Sequence, residues 1–405
     1  MNKFDVIIIG AGPAGIACAL MLCKSNIKVA VIDKSTFPRD KICGDAISLD
    51  VVNQLARISP ELLNAFEALE NKLPSSGVKM ISPEGHYIDL PLYENGVKKN
   101  GYICERFVFD NFLYEQLTKF PEIKIFPLTT VTDVIFEEQQ VIVKTDQGNF
   151  FSQMVVGADG AHSIVNKKTT SFPVEKEHYS AGLRQYFENV TGFHEENFIE
   201  LHFFPELLPG YLWIFPLPNG KANVGLGVLS STVSKKKMNL KEIFHQLLYN
   251  HPRLKKRFEN ARPLEPIKGF GLPLGSKKRK LSGTRFLLIG DAASLIDPFT
   301  GEGIANAIRS GRVSAEVIEK AVKKNDFSED FLKQYDKELY SRIWNELNVS
   351  KQLQNLSKRA WFFNFIIRKT ERSPYLKQFL MGALENVHKK KIITGPKFLY
   401  HLLFK

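Results

Sequence analysis

Six residues, G-A-G-P-A-G at positions 10–15, offer the first candidate chemistry in this chain of 405 residues. They match G-x-G-x-x-G and lie between an apolar, β-branched run at 4–9 and a stretch of helix formers at 14–25. Such a turn cradles a diphosphate. Gly10 permits the tight turn, Gly12 lets the backbone approach the ligand, and Gly15 lets helix and strand pack closely. The amino end of the helix, at Pro13 and Ala14, then faces negative charge. A second apolar strand at 29–32 runs into Asp33 and Lys34. Asp33 falls at the spacing where a carboxylate accepts hydrogen bonds from the hydroxyl pair of a ribose. Glycine-rich turns are common, so the strength of the reading comes from strand, turn, helix, strand and acid occurring as one unit. At this point NAD and FAD remain equal candidates.

Two later stretches repeat the delivery of glycine and aspartate by a short apolar strand. Residues 153–165, QMVVGADGAHSIV, present Asp159 and Gly160, and residues 285–304, RFLLIGDAASLIDPFTGEGI, present Gly290 and Asp291. Ligands bind at the carboxyl ends of strands in open parallel sheets. Three strand ends therefore point at one ligand, and a nucleotide domain built from them is discontinuous.

The elements that must position these residues follow from the intervening patterns. Residues 75–102 and 171–267 contain alternating segments such as GLRQYFENV, NFIELHFF, GYLWIFPLP and KANVGLGVL, which predict antiparallel strands with one buried face. Residues 218–221, PNGK, are a hairpin signal. The expected fold class is α/β, or α+β overall: a discontinuous Rossmann-like domain over 1–74, 103–170 and 268–325, an inserted, mostly antiparallel β-sheet substrate domain over 75–102 and 171–267, and a helical basic region over 326–405.

Composition narrows the setting. The net charge of +12 is local, because residues 351–405 carry twelve Lys or Arg against Glu371 and Glu385. Interleaved with that charge are AWFFNFII, YLKQFLMGAL and GPKFLYHLLF, which suit a lipid surface better than nucleic acid. The competing reading is a helical subdomain whose apolar residues pack on the body. Cys18, Cys23, Cys43 and Cys104 form no C-x-x-C pair and no metal-ligand spacing with histidine, as in a reducing cytoplasm. The opening apolar run is preceded by Asp5 and broken by glycines, so it does not read as an export signal. A cytoplasmic protein, with peripheral association at the inner face of a membrane, is the expectation.

Taken together, the motifs resemble the flavoproteins with the para-hydroxybenzoate hydroxylase fold, and within them most closely the geranylgeranyl reductase family. The residues carrying the resemblance are Gly10, Gly12 and Gly15; Asp159 and Gly160; Gly290 and Asp291; the strand PGYLWIFP at 209–216; and the segment GEGIANAIRSGRVSAEVI at 301–318. The resemblance implies FAD as the cofactor. It implies that Asp291 meets the ribityl chain and that the turn with Pro298, Gly301, Gly303 and Ile304 faces the flavin. Arg39 and Arg106 match family positions near the cofactor, and Arg184 one lining the substrate domain.

KICGD, residues 41–45, resembles the family's lysine–x–cysteine–glycine segment and brings Cys43 and Gly44 to the cofactor and substrate. It departs from the family in having Asp45 where a second glycine often stands. Cys43, flanked by Arg39 and Lys41, reads either as a reactive thiol or as a small apolar filler.

Tyr211, Trp213 and Phe215 share one face of a strand; the resemblance implies that they form a wall for a long hydrocarbon. The implied activity is FAD-dependent reduction of carbon–carbon double bonds in an isoprenoid or lipid-like substrate, with NAD(P)H or a small redox protein as electron donor. An FAD monooxygenase or halogenase of the same fold is the alternative, and no W-x-W-x-I-P strand of the halogenase type is present. A lipid-binding flavoprotein carrier is a third reading. No side chain is singled out as the proton donor.

Overall fold

A computed structural model describes residues 2–94 and 96–377. The opening apolar run forms the strand Lys3–Ile9, and its last four residues are buried. It lies parallel to Val29–Ile32 on one side and Gly148–Gly157 on the other, the setting in which a β-branched run is covered on both faces. The sheet continues from Val29–Ile32 to Ile123–Phe126, and from Gly148–Gly157 through Val141–Thr145 to Val131–Phe136, the last two pairings antiparallel. Phe286–Leu288, from far along the chain, joins Gly148–Gly157 in parallel. In this register Ile32 is opposite Ile9, Ile9 opposite Gly157, and Gly157 opposite Leu288. The strand ends expected to serve one ligand are therefore neighbours at one level of one sheet.

Two helices close this edge. Pro13–Leu22 follows the glycine turn, and Ile304–Lys324 follows the late Gly-Asp segment. They approach closely because Gly311 has no side chain: a Cβ there would lie 2.3 Å from the Ala14 carbonyl oxygen.

The second sheet is mostly antiparallel. Its order runs Tyr179–Glu188, Lys221–Leu229, Tyr211–Pro216, Ile199–His202, Gly77–Ile81, Tyr87–Pro91; only Ile199–His202 and Gly77–Ile81 pair in parallel. The expected hairpin at 218–221 is present, with Asn219 and Gly220 at φ 62° and 70°, the left-handed values that asparagine and glycine tolerate best. Opposite Trp213 and Tyr211 stand Gly225 and Gly227. A Cβ on Gly225 would lie 2.2 Å from the Trp213 ring, so the indole lies across a glycine.

One expected boundary shifts. Lys268–Pro273, expected within the nucleotide domain, is a strand of the second sheet, antiparallel to Tyr179–Glu188. Gly269 and Gly271 interrupt its alternation. A Cβ on Gly271 would fall 2.2 Å from the Tyr179 hydroxyl, which explains a glycine in mid-strand.

Beyond residue 325 the described chain is helical: Glu329–Leu332, Gln334–Leu356 and Ala360–Arg372. Tyr335 ties the long helix to the first sheet by donating to the Leu288 carbonyl, 2.9 Å away. Of the apolar residues read as a membrane-facing set, Phe363 and Ile367 are instead buried against Ile88 and Leu90 of the second sheet and Phe203 just beyond it. Trp361 stays 64% exposed. Most of YLKQFLMGAL and all of GPKFLYHLLF lie outside the described residues. No helix among the described residues is long and apolar enough to cross a membrane.

Candidate active site

A cavity of about 790 Å³ separates the two sheets, within the range that holds a cofactor or drug-sized ligand. On one side it meets the carboxyl ends of the parallel strands, and on the other the aromatic strand Tyr211–Pro216. All the candidate residues named from sequence line it except Gly15 and Arg184.

Gly10 and Gly15 serve the chain itself. Gly10 has φ 106°, and a Cβ there would lie 2.4 Å from the Ala158 carbonyl oxygen; a Cβ on Gly15 would lie 2.0 Å from that of Gly10. Gly12 is different. A Cβ there would meet only the Arg39 guanidinium, at 3.7 Å, so nothing in the fold requires a glycine and the open space belongs to the cavity.

The charge beside Gly12 suits a diphosphate. Arg106, almost wholly buried, makes a two-point contact with Asp110 at 2.6 and 2.8 Å, and Arg39 reaches the same carboxylate at 3.2 Å. Two guanidiniums share one carboxylate, which leaves positive charge at the cavity wall. Burial alone would lower the Arg106 pKa; the carboxylate of Asp110 is the main charge that outweighs it and holds the guanidinium charged. Asp33 accepts from the Ala11 and Ser35 amides at 2.7 and 2.8 Å. Those bonds orient its carboxylate at the end of its strand, and each oxygen keeps acceptor capacity for a ribose hydroxyl. Lys34 lies beside it at the exposed rim.

Farther along, Asp159 accepts from the Ile164 and Val165 amides through one oxygen, at 2.6 and 3.3 Å, while the other is buried with no partner. Burial pushes its carboxyl up from the ordinary value. An orphaned acceptor at a cavity wall calls for a donor from a ligand. Asp291 lies across from Lys41, whose amine sits 3.2 Å from the centre of the Phe270 ring; burial pushes that amine down, and Asp291 is the main charge opposing the shift. The turn after Asp291 is organised by Asp297, which accepts from the Phe299 and Thr300 amides at 2.9 Å each and from the Ser350 hydroxyl at 2.6 Å. It carries Gly301, at φ 72°, and Gly303 to the start of Ile304–Lys324, where no side chain caps the free amides. Those amides stabilise negative charge on a ligand at that end.

The opposite wall is apolar. Tyr211, Trp213 and Phe215 follow one another with ring centres 6.4 and 6.3 Å apart. Tyr211 donates to the Thr300 carbonyl, which fastens the aromatic strand to the turn. Gly44 lies against the same wall: a Cβ there would be 2.8 Å from the Phe215 ring.

Arg184, expected to line the substrate side, lies beneath it. It is fully buried, bonded to Asp40 at 3.1 and 2.8 Å and to Glu265 at 2.8 Å, with Tyr186 under its guanidinium. Two carboxylates offset its charge, and it is Asp40 that reaches the cavity. Burial would raise the Asp40 carboxyl; Arg184 and Lys268 outweigh it and hold it at about 2. The contribution of this cluster to stability is present above the ordinary value of 3.8 and is lost as pH falls through about 2.

Sequence reading missed Asp45, Asp110, Asn223 and Asp297 as parts of the site. Asp110 has a signal in hindsight, four residues after Arg106 on one helix. Asp297 precedes a proline at a turn, where a carboxylate can hold the amides two and three residues on. Asn223 sits opposite Phe215 in the register, and only the fold brings it to Asp45.

The comparisons agree with this geometry. Residues 3–349 match the family model described as FAD binding domain. Digeranylgeranylglycerophospholipid reductase 2 of Methanococcoides burtonii is 31% identical over 416 residues, covering 99% of this chain and 95% of the relative. The digeranylgeranylglycerophospholipid reductase of Methanosarcina mazei is 29% identical, covering 87% and 84%. Among solved structures, a geranylgeranyl bacteriochlorophyll reductase-like protein from Thermoplasma acidophilum superposes with a TM-score of 0.77 at 23% identity, covering 97% and 99%. A mutant of the halogenase PltM in complex with FAD superposes at 0.76 with 16% identity, covering 96% and 85%, a likeness of fold. The chain belongs to the FAD-binding-domain family of flavoproteins and, within it, to the geranylgeranyl reductase family. It is an FAD-dependent reductase.

The residues present fit FAD. Gly12 leaves open space beside paired arginines, Asp159 presents an unpartnered oxygen, and an uncapped helix start faces the same cavity.

Proposed function

We propose that this enzyme saturates carbon–carbon double bonds in the polyprenyl chains of a lipid. The supporting observation is a single cavity with two unlike walls: charged groups and free amides along the strand ends, and Tyr211, Trp213 and Phe215 with flanking Met80, Leu201 and Leu272 opposite. Bound, reduced FAD supplies the hydride. The residues of the chain bind and orient: Gly12, Arg39 and Asp33 hold the nucleotide half, and the turn 297–303 faces the flavin half. The aromatic strand excludes water and holds an alkene in place, where orientation contributes strongly to rate. Electrons enter from NAD(P)H or a small redox protein, since the sequence carries no second complete dinucleotide fingerprint. The test is anaerobic turnover of digeranylgeranylglycerophospholipid, the compound named in the relatives, by dithionite-reduced enzyme, read by mass spectrometry.

A substrate of this kind resides in a membrane, and the helix Ala360–Arg372 supports docking there. It leaves Trp361 exposed just after the exposed Lys358 and Arg359, while Phe363 and Ile367 anchor it to the body and Arg368 pairs with Glu84. Near an anionic surface each basic residue contributes about 1 kcal/mol. Trp361→Ser is expected to reduce cosedimentation with phosphatidylserine-containing vesicles at low salt several-fold. Unchanged sedimentation would assign the helix to packing alone.

A further inference from the structure

Asp45 is unusual in both backbone and side chain. Its φ is 67°, a left-handed value that glycine adopts freely and an aspartate only at a cost, and the residue is fully buried. A glycine would meet that φ without strain, so the acid is not there for the backbone. Strain held in this way points to a task for the side chain.

That task is visible in its bonds. One carboxylate oxygen accepts from the Tyr186 hydroxyl and from the Asn223 amide nitrogen, both at 2.7 Å; the other accepts from the Arg106 amide at 3.2 Å. Asn223 gives its second N–H to the Cys43 carbonyl, 2.8 Å away. With both N–H groups committed, only the amide oxygen can face Trp213, and it accepts from the indole nitrogen at 2.8 Å. An indole N–H only donates. Were the amide turned over, two donors would meet at the indole and acceptors would meet at Asp45 and Cys43.

We propose that Asp45 is a positioning residue: through Asn223 it fixes the plane of the Trp213 indole and the place of the Cys43 carbonyl, and so sets how the cavity holds a polyprenyl chain. The last clause rests on the reductase reading above; the fixing of the indole does not. Gly44, squeezed between Asp45 and the Phe215 ring, keeps the loop against the same wall. The other ionisable groups around the carboxyl are Arg184 and the buried Cys104 thiol. Burial pushes Asp45 up to about 7. The protonated form therefore stabilises the fold fully below 3.8, and that contribution is lost as pH rises through about 7. In either state an oxygen remains to accept from Asn223, because a proton can be shared with the Tyr186 hydroxyl.

The experiment uses full-length, FAD-loaded protein with Asp45→Gly and Asp45→Asn. Emission from Trp213 is isolated in each background by subtracting the Trp213→Phe counterpart. Asp45→Gly relieves the backbone strain and is expected to keep its fold and flavin while shifting Trp213 emission to longer wavelength. Its kcat/KM for digeranylgeranylglycerophospholipid should fall about tenfold, the equivalent of one lost orienting hydrogen bond. Asp45→Asn keeps an acceptor facing Asn223 and should recover much of both signals. If Asp45→Gly folds poorly, Asp45→Asn with weakly perturbed emission still separates positioning from folding. Trp213 emission unchanged in folded Asp45→Gly would overturn the proposal. Failure of the wild-type protein to turn over the lipid would overturn the reductase reading instead, and the emission arm would still decide the role of Asp45.

Discussion

Gly12→Val should give a folded protein without colour. A valine at Gly10 or Gly15 would collide with backbone, at 2.4 Å from Ala158 and 2.0 Å from Gly10, and would damage the fold itself. At Gly12 the first side-chain atom meets only the flexible end of Arg39, at 3.7 Å. The branched side chain therefore fits the protein but fills the space where the diphosphate approaches the backbone. Losing about two hydrogen bonds to a charged group costs roughly 3–6 kcal/mol, so FAD should bind at least ~100-fold more weakly. Flavin absorbance after desalting, with thermal denaturation as the control for folding, makes the measurement. A yellow Gly12→Val protein would mean that the diphosphate lies elsewhere.

Trp213→Ala should separate cofactor binding from turnover. Trp213 lies on the second sheet's wall of the cavity, over Gly225 and beside Tyr211 and Phe215. Removing the indole opens the apolar wall and leaves the Asn223 oxygen without its donor. The alkene is then held loosely in a wetter chamber. A loss of about 100-fold in kcat/KM, near 3 kcal/mol of transition-state stabilisation, is expected where orientation carries the rate. FAD content should be unchanged. Parallel losses of flavin and activity would place Trp213 in the cofactor site rather than at the substrate wall.

The outline of this site was legible because its main parts obey local rules. A glycine turn between strand and helix, an acid after the second strand, and Gly-Asp at a third strand end each declare themselves within about ten residues. The aromatic strand was legible through simple alternation. What escaped reading depends on pairing across the fold. Arg184 could not be told from a cavity-lining cation until Asp40 and Glu265, distant in sequence, were seen to enclose it. Asp45 stood out as a departure from a glycine pattern, yet its meaning comes from Asn223, 178 positions away. The strand Lys268–Pro273 was hidden because Gly269 and Gly271, the second demanded by Tyr179 across the sheet, erase its alternation. Helical periodicity after residue 325 was readable, but it could not say which apolar side chains turn inward. Phe363 and Ile367 pack on the second sheet while Trp361, on the same helix, remains exposed.

The most direct test of the central claim is a single anaerobic incubation. Dithionite-reduced, FAD-loaded enzyme is mixed with digeranylgeranylglycerophospholipid, and the lipid is analysed by mass spectrometry against an oxidised-enzyme control. Reduction by hydride and proton should add about 2 mass units for each double bond saturated, without oxygen. Products that form only when oxygen is admitted, heavier by about 16 mass units or carrying a halogen, would contradict the account and assign the cavity to monooxygenase or halogenase chemistry.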